Sequence, residues 1–257
     1  MKPPIRNIRT SRNFRIVDES AEWIVVDKPP FLEAHPSKPG GPFTLWNGLR
    51  ELLAFEIANG GQVSIINRLD RETSGLTLVC KTSAAARRFA TWMEERRIHK
   101  EYLAIVFGWP EQDRYEIDAP LARLGAHEPS RIWLKQAVHP LGAEARTVVH
   151  VEKRFEKKTA NGDKFALVRA LPATGRTHQI RVHMAHIGHP LVGDKIYGPD
   201  ESHYLTFIET GWTEELARPL LLSRHALHST VLKIDTGGEP LQWNAPLAPD
   251  LAAWMEE

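Results

Sequence analysis

The sequence predicts an α+β fold, and three observations lead to it. Short runs rich in β-branched or aromatic residues outnumber helical patterns, strands and helices do not alternate strictly, and turn signals recur at short intervals. Those turns fall at Lys28-Pro29-Pro30, Asn59-Gly60-Gly61, Gly108-Trp109-Pro110 and Gly237-Gly238. Strict alternation would have pointed to a doubly wound parallel sheet. Several of the strand-like runs alternate apolar and polar residues, which is the pattern of a sheet with one wetter face.

In chain order, residues 23–26, 63–66 and 76–80 read as strands. Residues 83–97 read as a helix opened by Thr82 or Ser83, because Ala85, Phe89 and Met93 recur at helical spacing while Arg88, Glu95 and Arg96 fall elsewhere on the wheel. Strands follow at 102–107, 147–151 and 165–170. A second helix is predicted over 177–187, capped by Thr177, striped by Ile180, Met184 and Ile187, and stopped by Gly188 and Pro190. His178 and Arg181 share another of its faces. A last strand is predicted over 226–234, and residues 110–136 and 199–212 read as irregular.

Composition narrows the function classes. With 42% hydrophobic and 25% charged residues, the 257-residue chain is expected to bury a full core, which excludes disordered and fibrous classes. A net charge of only +1 excludes the strongly basic class, although residues 68–100 carry eight Lys/Arg against four Asp/Glu. That cluster alone reads as a solvated helix face as readily as a nucleic-acid surface. Cys80, the single cysteine, cannot form an intramolecular disulfide and has no second thiol at metal-ligand spacing; it reads as a small core residue of a protein kept in a reducing compartment. The basic residues at 1–15 lack the apolar stretch of a secretory signal, and no apolar run can span a bilayer, so a cytoplasmic protein without a membrane partner is expected. No repeat or linker divides the chain, so one domain is predicted over 1–257, with 1–13 as a flexible basic tail.

Asp70 sits in a polar loop between two apolar strands, flanked by Arg68 and Arg71 and followed by the turn-forming Thr73-Ser74-Gly75. Taken alone it has two readings: a salt bridge that holds the loop, or a carboxylate kept ionised by a cation and available as nucleophile or base. The wider pattern decides between them. Ile66-Asn67-Arg68-Leu69-Asp70-Arg71-Glu72-Thr73-Ser74-Gly75-Leu76 resembles the hallmark motif of the RluA-type family of RNA pseudouridine synthases. Trp23-Ile24-Val25-Val26-Asp27-Lys28-Pro29-Pro30, with His35-Pro36 beyond, resembles the family's opening strand and turn. Lys100-Glu101-Tyr102-Leu103-Ala104-Ile105-Val106-Phe107-Gly108 resembles its tyrosine-bearing strand, and Thr174-Gly175-Arg176-Thr177-His178-Gln179-Ile180-Arg181-Val182-His183 its third motif, continued by Gly188-His189-Pro190 and Gly193-Asp194. Arg224-His225-Ala226-Leu227-His228 lies in a stretch similar to its closing strand. These motifs fall in the family's order over about residues 20–247.

The resemblance implies a pseudouridine synthase catalytic fold, a mixed and largely antiparallel sheet flanked by helices and loops. It implies an isomerase that modifies uridine in structured tRNA or rRNA by base flipping. The N1–C1′ bond breaks, the uracil turns over and C5 joins C1′, with no net redox change, so no cofactor and no metal are expected. Asp70 is implied as the catalytic carboxylate, whether it attacks the sugar, removes a sugar proton or adds to the uracil ring. Arg181 is implied as its basic partner and Tyr102 as the ring packed on uracil. Arg68 is implied as a wedge that stacks into the space a flipped base leaves, and Arg176 as a phosphate contact at a helix start. His178 is placed with these two among the RNA-binding residues. Asn67 stands where the family usually has His; either side chain can hydrogen-bond to nearby backbone. The family's small RNA-binding domain is not found ahead of the motifs, so the catalytic domain is expected to act alone, as a monomer, on a compact target such as a tRNA arm.

Three rival readings are weaker. His178, His183, His186 and His189 invite a zinc site, but with neither an HExxH pattern nor a companion cysteine. A glycoside hydrolase needs two opposed carboxylates, and Glu72 is the nearest candidate partner in sequence. A non-catalytic RNA-binding protein would not need Asp70, Tyr102 and Arg181 together.

Overall fold

The computed structural model describes residues 13–256. The basic tail read at 1–13 therefore lies, except for Asn13, outside the described residues. In chain order the elements are β1 (Arg15–Glu19), β2 (Trp23–Lys28), α1 (Leu45–Leu52), α2 (Ala54–Ala58), β3 (Ser64–Ile65), β4 (Ser74–Cys80), α3 (Ser83–Glu94) and β5 (Ile98–Phe107). Then follow β6 (Arg114–Asp118), β7 (Leu121–Arg123), β8 (Gln136–Val138), β9 (Arg146–Thr159), β10 (Gly162–Pro172), α4 (Gln179–His186), α5 (Ser202–Thr210) and α6 (Glu214–Leu220). β11 (Leu227–Ile234), β12 (Leu241–Asn244) and α7 (Pro249–Glu256) complete the chain. The architecture is α+β, as the sequence predicts. The fold divides into two compact units, one of residues 13–100 and 228–248, the other of residues 101–227 and 249–256.

In the first unit β1, β2, β4 and β11 lie side by side, with β3 beside β4 and β12 beside β11. Every pairing is antiparallel except β4 with β11. The two-residue period of the strands sorts their side chains onto two faces. Val25, Leu76, Leu78 and Cys80 pack with Phe89 of α3 and with Leu232, Ile234 and Trp243, while Ile24, Val26 and Val79 pack with Leu45 and Leu49 of α1. Cys80 is thus a core residue, and burial pushes its thiol up to about 12. β4 is buried along its whole length, which is why it reads as an almost continuous apolar run.

Thr82 caps α3, its hydroxyl accepting from the Ala85 amide at 3.1 Å. The helix ends at Glu94, short of the predicted 97, because Arg96 turns left-handed at φ 59° and Ile98 already begins β5. α1 is absent from the sequence reading although Leu45, Leu49 and Leu52 recur at helical spacing; a capping box between Thr44 and Asn47 starts it.

The turn after Asp70 closes at Thr73, and Ser74 and Gly75, read as part of it, already begin β4, where Gly75 has to be glycine. It has φ +110°, and a Cβ there would lie 2.2 Å from the carbonyl oxygen of Ser229, its register partner on β11. Gly75→Ala must therefore either part β4 from β11 or strain the backbone at the start of β4. It is expected to lower stability by about 3 kcal/mol or more, read as a fall in the urea midpoint. A loss under about 0.5 kcal/mol would show that the close approach is not needed.

In the second unit β5, β10, β9 and β6 form an antiparallel array, and β7 and β8 a separate two-stranded ribbon. Phe165, on β10, meets Trp254 of α7 edge to face at 5.2 Å. Buried Arg224 anchors α7 by a fork onto Asp250, at 2.7 and 2.9 Å. Two stretches that read as irregular contain elements: β6, β7 and the first residue of β8 in 110–136, and α5 in 199–212. These strands have three to five residues and few buried positions, so their apolar pattern is too short to register. Among the described residues no helix is long and apolar enough to cross a membrane.

Candidate active site

In the first unit the loop that carries Asp70 is tied down at both ends. Asn67 is buried, and its amide donates to the Leu76 carbonyl at 3.0 Å while its carbonyl accepts the Leu78 amide at 2.7 Å. It thereby substitutes for a strand neighbour where β3 stops, which meets the expectation of a backbone contact at this position. Leu69 is buried, and the Thr73 amide closes a tight turn onto the Asp70 carbonyl at 3.2 Å. Lys28, fully buried, donates to the carbonyls of Pro29, Leu32 and Arg71 at 2.9, 2.9 and 3.3 Å, which joins the exit of β2 to the residue after Asp70. Arg68 is exposed and Asp70 half-buried. Burial, reinforced by the charge of Arg68, holds His35 below the usual histidine range. Ser74 hydrogen-bonds to His228 at 2.9 Å across the parallel pair.

Tyr102, Arg176, His178 and Arg181 belong to the second unit. Tyr102 lies on β5, 8% exposed, opposite Ala170. Arg181 lies on α4, and its Nε and Nη2 donate to the two oxygens of Asp194 at 2.6 and 2.9 Å. That carboxylate is fully buried and also accepts the amides of Ile196 and Tyr197 at 3.0 and 3.1 Å. Burial alone would push the Asp194 carboxyl up; the charge and hydrogen bonds of Arg181 outweigh it and hold the group far below the usual carboxylate range. Arg181 also packs over the Tyr197 ring at 5.0 Å, and the Tyr197 hydroxyl meets His178 Nδ1 at 2.7 Å and accepts the Gln136 amide at 2.8 Å. His178 and Arg181, both read as site residues, are thus joined through Tyr197. The sequence signal for this joint is confined to Asp194, which follows Gly193 in the motif; nothing in the sequence reading singled out Tyr197.

Thr177 does not cap α4, contrary to the sequence reading. The helix begins at Gln179, after His178 in a left-handed conformation at φ 57° with no side-chain cap. Gln179 instead turns back, accepting from the Thr174 hydroxyl at 2.7 Å and the Arg176 amide at 3.0 Å. This hairpin of side-chain bonds uses donors ahead of the helix start and leaves Arg176 exposed, with its Nε on the Glu144 carbonyl at 2.9 Å. The predicted stop holds: Gly188, at φ +84°, ends the helix with its amide on the Ala185 carbonyl at 3.0 Å.

The histidines do not share a centre. His183 is fully buried between the Thr147 hydroxyl and the Ala119 carbonyl, each at 2.9 Å, and His189 meets the Phe107 carbonyl at 3.0 Å. Among the described residues no three His, Cys, Asp or Glu form a group able to hold a metal.

The fold matches solved pseudouridine synthases. It superposes on Human RNA Pseudouridylate Synthase Domain Containing 1 with a TM-score of 0.69 and 28% identity, over 99% of this chain and 90% of that one. On Human RNA Pseudouridylate Synthase Domain Containing 4 the TM-score is 0.72 at 21% identity, over 94% and 92%, a likeness of fold alone. The class is therefore that of the pseudouridine synthases. The sequence pattern of RNA pseudouridylate synthases matches residues 22–186. "Ribosomal large subunit pseudouridine synthase D" of Haemophilus ducreyi is 36% identical over 250 residues, 94% of this chain and 69% of that one. The protein of the same name in Escherichia coli K12 is 35% identical over 247 residues, with the same coverages. The chain belongs to the RluA-type RNA pseudouridine synthases, isomerases that act on RNA.

Proposed function

We propose that the chain converts uridine to pseudouridine in large-subunit ribosomal RNA, with Asp70 as the catalytic carboxylate and no cofactor. The observation that carries this reading is the ordered run of motifs around Asp70, in a chain 35–36% identical to enzymes named for the large ribosomal subunit over 94% of its length. A carboxylate held in a short turn by Asn67, Leu69 and Lys28 loses little freedom when substrate arrives, which favours its use at a reacting centre. Ionised Asp70 serves each available route: attack at C1′, removal of a sugar proton, or addition to the uracil ring. Tyr102 packs on the uracil ring and Arg181 supplies positive charge to the reaction. Arg68, exposed and two residues before Asp70, stacks into the gap left by the flipped uridine. Arg176 meets phosphate and His178 the nucleotide.

Pseudouridine mapping in cells with and without this protein tests the substrate. A site lost from large-subunit ribosomal RNA is expected; a site lost only from tRNA would overturn the ribosomal assignment. Tritium release from RNA labelled at uridine C5 tests the reaction and is expected to persist after exhaustive chelation. No lost site together with no release would overturn the enzymatic reading of this chain.

A further inference from the structure

We propose that the ribbon formed by β7, β8 and the turns beside them is a base-stacking platform for unpaired nucleotides of the RNA substrate. This inference rests on the RNA reading above and adds a binding surface within the second unit. Trp133 keeps 77% of its area accessible although Arg123 lies over its ring at 3.8 Å from the centroid. One face of the indole is thus backed by a planar cation and the ring is held in place, while its remaining area stays open. His127 and His139 form a second stacked pair, with centroids 3.8 Å apart and planes 15° apart. Of the eight large hydrophobic side chains exposed among the described residues, three lie between positions 133 and 141: Trp133, Leu134 and Leu141. Isolated exposed apolar residues need no explanation, but such a concentration marks a contact surface.

Charge and shape select the occupant. Residues 121–142 carry Arg123, Arg131 and Lys135 against Glu128; with Lys135 held by Glu201, the two arginines still exceed the one carboxylate, an excess that suits a polyanion. Planar rings held with a face accessible suit nucleobases, which stack on indole and guanidinium planes alike. The ribbon itself is well anchored: Leu121 and Ile132 are buried with Val182 and Ile196, and Lys135 is ion-paired to Glu201. A surface so anchored loses little entropy when RNA binds.

The test compares wild type with Trp133→Ala, Trp133→Phe, Arg123→Ala and, as a control, Phe55→Ala, which removes an equally exposed ring from the other unit. The probes are a hairpin transcript of large-subunit ribosomal RNA with an unpaired loop and a fully paired duplex of equal length. Trp133→Ala is expected to weaken hairpin binding by about 10- to 100-fold, Trp133→Phe to restore most of it, and the duplex to bind as before. Arg123→Ala is expected to weaken the hairpin less, and Phe55→Ala to leave it unchanged. In tritium release the Trp133→Ala loss is expected in KM rather than kcat. Hairpin affinity unchanged in Trp133→Ala, or lost equally on hairpin and duplex, would overturn the platform. So would unchanged RNA affinity accompanied by loss of a self-association seen for wild type in sedimentation. If wild type releases tritium and Trp133→Ala binds the hairpin normally, only the platform fails; if wild type releases none, the enzymatic reading fails, and binding still decides the platform.

Discussion

Asp70→Asn is expected to lower pseudouridine formation on the order of 10⁴-fold or more while leaving RNA affinity nearly unchanged. The amide has the size of the carboxylate and keeps an acceptor oxygen, but it carries no negative charge and is neither a useful nucleophile nor a base. Four supports of the loop do not use that charge and stay in place: Asn67 bonds the backbone of Leu76 and of Leu78, Lys28 bonds the Arg71 carbonyl, and the turn is closed through the Asp70 carbonyl. The variant should therefore fold, which separates chemistry from structure. Tritium release reports turnover, filter binding reports affinity, and thermal unfolding reports the fold. Turnover within about threefold of wild type would remove Asp70 from the catalytic role.

The second large effect concerns stability. Asp194→Asn is expected to cost about 3–5 kcal/mol, because it takes the charge out of a buried fork onto the Arg181 guanidinium, whose side chain is 6% exposed. Urea unfolding measures the loss, and a change below about 1 kcal/mol would show that the pair does not anchor α4. The same pair sets an acid limit. Asp194 has a folded pKa far below its unfolded value, so the unfolded state binds the proton first as pH falls. The stabilisation is whole above about pH 4, the ordinary carboxylate value, and is lost progressively as pH falls toward the folded value. In the Asn variant that part of the acid dependence should vanish. The buried His183 adds a slope in the same direction at higher pH: burial, only partly offset by the Ala119 carbonyl, holds it below the usual histidine range, so the folded state resists its protonation.

Much of the first unit was legible because its information is local. Residues 23–26 and 76–80 form strands where the apolar and β-branched runs fall, and Thr82 caps α3 as its position before Ala85 and Phe89 suggests. The ends of elements were less legible. Arg96 turns the chain out of α3, and His178 enters α4, in a left-handed conformation that few non-glycine residues adopt and that apolar spacing does not signal. The short strands β6 to β8 escaped for a different reason, since three to five residues carry too little pattern to outweigh their polar neighbours.

The sequence by itself determined the α+β class, the family motifs, and the residues that bear the proposed chemistry, above all Asp70 in its polar loop. Only the tertiary structure decided how those residues are held. Arg181 finds Asp194 at a separation of 13 positions, His178 finds Tyr197 at 19, and Lys28 reaches the Arg71 carbonyl at 43. A charged or polar side chain shows in sequence that it needs a partner. Which partner it meets depends on which loops the packed strands and helices bring within hydrogen-bonding distance, and that is a property of the folded chain as a whole.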